Sequence, residues 1–160
     1  MTQWKPEQQI TALKYGAYTV LACCLIFISG LVREILATLP DQSTTVPNVL
    51  TVLSAIALIV VVVRWSKEGN GSGGWREVFG LYSEEFARDL NRKASSYACL
   101  VMLVLLLLAC TIGDPVLFNQ LGAGMQALFS LSNFSAVVLL VAGIVWALTV
   151  LINLREEAED

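Results

Sequence analysis

The stretch Ala94–Ile112 reads ASSYACLVMLVLLLLACTI and contains no charged residue. Three further runs share this character, namely Tyr15–Leu31, Val49–Val63 and Phe134–Ile152. A bilayer core of roughly 30 Å is crossed by about 20 mostly apolar helical residues, so each run is close to the length of one membrane span. A helix also satisfies its own backbone polar groups in lipid. The sequence therefore predicts an all-α integral membrane protein, a four-helix bundle made of two helical hairpins.

Composition supports the same class. The chain is 56% hydrophobic and 14% charged, whereas an ordinary soluble domain carries about 25% charged residues. Four spans leave no room for a separate soluble domain in 160 residues. We expect a single membrane domain over residues 1–160, with spans at about 15–35, 48–65, 94–112 and 132–154 and a cytoplasmic loop at 66–93.

The distribution of basic residues predicts the orientation. Arg33 lies at one end of the predicted bundle, and the other basic residues lie at the opposite end: Lys5, Lys14, Arg64, Lys67, Arg76, Arg88, Arg92, Lys93 and Arg155. Lysine and arginine near span ends are retained in the cytoplasm. We therefore expect a multi-pass protein of the inner or plasma membrane with both termini in the cytoplasm.

The loop between spans two and three divides into a linker and a helix. Glu68–Gly74 reads EGNGSGG, which is typical of a flexible linker and lacks the lysine and serine or threonine of a phosphate-binding loop. From Ser83, a possible helix cap, the charges of Glu84–Arg88 and Asp89–Lys93 are spaced as favourable i,i+4 pairs. The pattern predicts a helix over 83–93 that continues into span three and extends that span into the cytoplasm.

Two signals shape the second hairpin. Gly113-Asp114-Pro115 is a helix breaker and predicts the end of span three. The following segment, 115–131, is only moderately apolar, and we expect it to lie on the membrane surface or to be half-buried. In span four, Gly143 and Ala147 have the small-xxx-small spacing that lets helices approach closely.

The inventory of reactive residues argues against catalysis. The chain has no histidine, which removes the commonest general base and the usual transition-metal ligand. The cysteines lie inside the apolar runs without a C-x-x-C spacing: Cys23, Cys24, Cys99 and Cys110. Serines and threonines in the spans are expected to bond to backbone carbonyls or to a neighbouring helix. The sequence predicts no enzyme, no cofactor and no metal site.

A family resemblance begins at the second hairpin. Glu84–Tyr97 reads EEFARDLNRKASSY and is followed by an apolar run. Over Ser83–Arg155 it resembles an uncharacterised group of small four-span prokaryotic membrane proteins, whose second half opens with a "D-E-R … I … K-A-S" helix; this chain has Glu84-Glu85-Phe86 in place of the D-E-R triplet. The resemblance implies a four-span fold and no particular activity. Asn153–Glu156 is similar to the corresponding part of lambdoid phage superinfection-exclusion channels.

Two functions follow as hypotheses. The first is a non-enzymatic regulatory or accessory subunit that docks a partner through helix 83–93. The residues expected to contact a partner or lipid are Phe86, Arg88, Leu90, Arg92 and Lys93, an apolar pair beside a basic flank. The alternative is a homo-oligomeric small channel or transporter. The expected partners are the lipid bilayer and either further copies of the chain or another membrane protein, and no nucleic acid.

Overall fold

A computed structural model describes residues 5–37, 45–68, 81–112 and 131–159, together with the single positions 119, 122, 126 and 129. In this part of the chain the secondary structure consists of four long α-helices: α1 Pro6–Ala37, α2 Thr45–Glu68, α3 Glu85–Ile112 and α4 Leu131–Glu159. Each predicted apolar run lies within one of them. All four are long and apolar enough to cross a membrane. The prediction of an all-α, four-span membrane protein is confirmed.

The helices pack in the order α2, α1, α4, α3. Helix α1 packs along both α2 and α4, α4 also packs along α3, and α1 touches α3 over a short stretch. The two predicted hairpins are therefore present and are joined through α1 and α4. The outer helices α2 and α3 expose large apolar side chains such as Val52, Ile59 and Leu107, which suits helices that face lipid.

Small residues bring the two central helices together. Ala17 of α1 and Ala147 of α4 are both fully buried. A Cβ atom added at Gly143 would lie only 3.0 Å from the sulfur of Cys24 and 3.1 Å from Cγ1 of Val20. The predicted small-residue spacing in span four therefore faces α1, where a larger side chain would hold the helices apart.

Three of the helices continue well past their apolar runs. Helices α1, α3 and α4 have 32, 28 and 29 residues, which is about 48, 42 and 44 Å at 1.5 Å per residue. Most of the extra turns lie at one end, called here the basic end, formed by residues 5–14, 64–68, 81–93 and 153–159. The sequence predicts such an extension for span three, and it predicts that residues 2–14 form either a short interfacial helix or a frayed start of span one. In the structure, the starts of α1 and α3 and the end of α4 extend together.

The main buried cluster lies at and just inside the basic end. It contains small and apolar side chains from α1, α3 and α4 and from the segment before α3: Ala12, Leu13, Ala17, Tyr82, Ala87, Leu90, Ala94, Ala147 and Val150. Because these helices share a core there, the start of α3 is fixed against α1 and α4.

The ends of α3 follow the sequence. The helix runs unbroken from Glu85 through span three and ends at Ile112, directly before the predicted breaker. The breaker itself and most of the predicted linker 68–74 lie outside the described residues. So does most of segment 115–131, in which the N–H of Gln126 donates to the carbonyl of Gly122 at 3.0 Å.

Candidate docking surface at the basic end

The start of α3 is held by a glutamine of α1. Gln9 has a polar side chain, yet it is only 1% exposed. Its Oε1 accepts hydrogen bonds from the backbone N–H groups of Ser83 (2.8 Å) and Glu84 (2.9 Å), and its Nε2 donates to Ser83 Oγ (2.8 Å). Backbone N–H groups at a helix start lack partners within the helix. Gln9 supplies partners to two of them from another helix.

Glu84 is the cap of α3. Its Oε2 accepts the N–H of Ala87 at 2.5 Å, and its backbone carbonyl accepts the N–H of Arg88 at 3.1 Å. A carboxylate at this position also interacts favourably with the positive end of the helix dipole. The sequence prediction that Ser83 caps the helix is wrong, because the Ser83 N–H and hydroxyl are both engaged by Gln9.

The structure places the two apolar residues of the predicted contact set inside the chain's own core. Leu90 is 4% exposed and belongs to the buried cluster, and Phe86 is half-buried and packs against that cluster. Both therefore contact α1 and α4 of the same chain. While this core is intact, Leu90 has no exposed surface to offer a partner, and Phe86 offers only an edge.

The basic residues of the set lie on the outer side. Arg88 and Arg92 are exposed, and the side chains of Arg88 and its neighbour Asp89 are 57% and 65% exposed. Arg88 Nε lies 3.8 Å from Asp89 Oδ1, a surface contact that contributes little to stability. Lys93 is also exposed, and its Nζ donates to Oδ1 of Asn153 on α4 at 3.0 Å.

The predicted i,i+4 ion pairs are absent from the described residues. The Glu84 carboxylate caps the helix, so it does not pair with Arg88. Lys93 reaches across to Asn153 and does not pair with Asp89. A second cross-helix bond runs from Nε1 of Trp146 to Oδ1 of Asn91 at 3.2 Å. At the basic end, side-chain hydrogen bonds therefore connect α3 to α4, and the hydrogen bonds of Gln9 connect α1 to the start of α3.

Six serine and threonine hydroxyls within the spans are satisfied locally. Each donates to a backbone carbonyl three or four residues earlier in its own helix: Thr19, Ser29, Thr51, Ser54, Thr111 and Thr149. The hydroxyls of Thr51 and Ser29 also meet at 2.9 Å between α1 and α2. The expectation that these residues bond to backbone or to a neighbouring helix is confirmed. Among these six residues, only Thr51 and Ser29 link two helices through their hydroxyls.

Within the described residues, no three side chains of cysteine, aspartate or glutamate come together as a metal-binding group would require. The four cysteines are free thiols; Cys24 is buried, and Cys99 and Cys110 are exposed on the outer helix α3.

No family model matches this chain, and no curated protein and no solved structure matches it. The resemblances to the small four-span prokaryotic group and to the phage exclusion channels stay predictions. The fold and the surface define a class, a multi-pass all-α membrane protein whose helices α1, α3 and α4 share a core at the basic end.

Proposed function

We propose that this protein is a non-enzymatic accessory subunit that docks a partner through the outer face of segment 83–93. The main observation in support is that one face of that segment is buried and the other is exposed. Leu90 and Ala87 are buried against α1 and α4, whereas Arg88, Asp89 and Arg92 are exposed. A charged face held on a fixed helix is pre-organised for binding, which lowers the entropic cost of association.

The proposal includes an orientation and a membrane. The basic end carries eight of the ten basic residues, and a ninth, Arg76, stands between α2 and α3 in the sequence; basic residues near span ends favour the cytoplasmic side. We therefore place both termini and residues 66–93 in the cytoplasm, and the protein in the inner or plasma membrane. The docking face then points towards cytoplasmic proteins or the cytoplasmic parts of membrane proteins, and Arg88 and Arg92 favour a partner with acidic groups.

The alternative, a homo-oligomeric small channel or transporter, has weaker support. A path would need polar side chains along one face of a span, and the hydroxyls of Thr19, Ser54 and Thr149 donate to carbonyls of their own helices. A path built from several copies would have to use the outer faces of α2 and α3, which are rich in exposed valine, leucine and isoleucine.

The two hypotheses predict different assemblies. The protein is extracted from its native membrane with the surrounding lipid in polymer nanodiscs, and the mass and composition of the particle are measured. For the accessory subunit we expect a second polypeptide with the chain. A particle that contains two or more copies of this chain and no other polypeptide would contradict docking and favour the channel.

A matched pair of variants tests the docking face itself. Arg88→Ser with Arg92→Ser removes two charges from the face, and Arg64→Ser with Lys67→Ser removes two charges from the end of α2 at the same end of the molecule. All four side chains are exposed, so both variants are expected to fold, with stability changes within about 0.5 kcal/mol. We expect the first variant to lose the partner and the second to retain it. Equal retention by both would exclude this face.

A further inference from the structure

A groove between the two central helices opens at the basic end. It encloses about 510 Å³, within the range of roughly 300–1,000 Å³ that is usual for small-molecule sites. Three residues from each helix line it: Ile10, Lys14 and Tyr18 from α1, and Leu151, Leu154 and Arg155 from α4. The spacing of four on α1, and of three and four on α4, places each set on one face of its helix.

The groove lies where lipid head groups lie. Lys14 directly precedes the apolar run that begins at Tyr15, and Arg155 lies three positions after the apolar run that ends at Ile152. Both charged residues therefore flank apolar runs at the same end of the molecule and meet the boundary between hydrocarbon and water. Their side chains converge on one cavity although 141 positions separate them in the sequence.

The side chains that line the groove form a cationic part and an apolar part. Lys14 and Arg155 are exposed and cationic, and Lys14 makes no hydrogen bond or ion pair with the described residues. Tyr18 is 37% exposed, and its ring packs edge-on against that of Tyr15. Ile10, Leu151 and Leu154 supply apolar wall. A guanidinium offers a planar fork of donors that matches phosphate oxygens, an ammonium adds a compact charge, and the apolar wall suits acyl carbons.

We propose that this groove binds one anionic phospholipid, with the phosphodiester between Lys14 and Arg155 and the acyl chains descending along α1 and α4. Basic pockets between membrane helices at the cytoplasmic side are suited to anionic head groups. A zwitterionic lipid would bring its own cation next to Lys14 and Arg155, so charge favours a lipid such as phosphatidylglycerol over phosphatidylcholine. The site is independent of the proposed docking function.

Lipid binding to the purified protein in detergent, measured by native mass spectrometry, tests this site. The probes are phosphatidylglycerol and phosphatidylcholine of the same chain length, and free glycerol 3-phosphate as a competitor. We expect one phosphatidylglycerol to be retained on the order of tenfold more tightly than phosphatidylcholine, since each basic residue contributes several-fold. Equal retention of the two lipids would overturn the proposal. Displacement by glycerol 3-phosphate at similar concentration would show a soluble phosphate ligand and would also overturn it.

Variants separate this groove from general attraction to a basic surface. Lys14→Gln with Arg155→Gln should abolish the preference, and the charge-preserving Lys14→Arg with Arg155→Lys should keep it. Arg64→Gln with Lys67→Gln, which removes two charges outside the groove, should also keep it. If the Lys14→Gln, Arg155→Gln double variant does not accumulate, Arg155→Gln alone replaces it, because Arg155 is at an exposed position. We expect this single variant to lower the preference for phosphatidylglycerol several-fold. A preference lost equally with Arg64→Gln and Lys67→Gln, or unchanged without Lys14 and Arg155, would overturn the assignment.

Discussion

Gly143 illustrates how a single residue position sets the distance between two helices. The sequence predicts that it marks a close approach, from its spacing to Ala147, but several helices could have been the partner. The structure identifies the partner as α1, through Cys24 and Val20. Spacing within one helix reveals a small face, and only the packing of the whole chain decides which helix that face meets.

We predict that Gly143→Val destabilises the protein by about 1–3 kcal/mol, the usual cost of overpacking a close contact. Even the first added atom would lie 3.0 Å from the Cys24 sulfur. Thermal unfolding in detergent, followed by helical circular dichroism, measures the change. Gly30→Val is the matched control, since nothing lies within 4 Å of an added Cβ at that position. Equal unfolding temperatures for the two variants would contradict a close contact at 143.

At the scale of the helix, α3 shows which features of an element its own sequence contains. Its continuity from the charged segment into span three and its end before Gly113 were predictable, because the periodicity and the breaker are local signals. Its cap was not predictable in this way. Ser83 and Glu84 are both plausible caps, and the choice depends on Gln9, which is 74 positions away from Ser83. A polar residue near the start of α1 gives no sign that it is buried.

The predicted contact residues fall into a buried group and an exposed group, and here too burial depends on helices that are distant in the sequence. Phe86 and Leu90 share a helical face, which is equally consistent with an exposed anchor and with a buried stripe. The structure shows that Leu90 belongs to the buried cluster that includes Leu13 and Ala147, and that Phe86 packs against this cluster. Arg88 and Arg92 lie on the opposite side, where the sequence-based expectation of exposed charge agrees with the structure.

We predict that Gln9→Met lowers stability by about 1–3 kcal/mol. Methionine fills a similar volume at this buried position, but it leaves the partly buried N–H groups of Ser83 and Glu84 without their acceptor, and such unsatisfied groups carry a cost of this size. Hydrogen exchange at these two amides should accelerate together with the loss of thermal stability. Thr11→Val, which removes a hydroxyl that makes no hydrogen bond with the described residues, is the control. Unchanged exchange at 83 and 84 would contradict the role of Gln9.

At the scale of the molecule, the basic residues and the shared core of α1, α3 and α4 lie at the same end, which makes the two ends of the bundle different. The long helices carry their polar extensions to the same side, where they pack against one another. Arg33 is the single basic residue at the opposite end, beside Glu34, whose Oε2 accepts a hydrogen bond from Asn133 of α4 at 3.2 Å. The molecule is therefore strongly asymmetric along the membrane normal, and an asymmetric charge distribution favours one orientation.

We predict that this orientation places both termini and the loop 66–93 in the cytoplasm. The test uses a variant in which the native cysteines are replaced by alanine: Cys23, Cys24, Cys99 and Cys110. This variant is expected to accumulate normally, because the four are free thiols in helical positions. Single cysteines are then introduced as Ser43→Cys and Ser72→Cys, and intact cells are treated with a membrane-impermeant thiol reagent. We expect labelling at 43 and none at 72 until the membrane is opened. Labelling at 72 but not at 43 would reverse the orientation, and equal labelling at both would show that the charge asymmetry does not fix it.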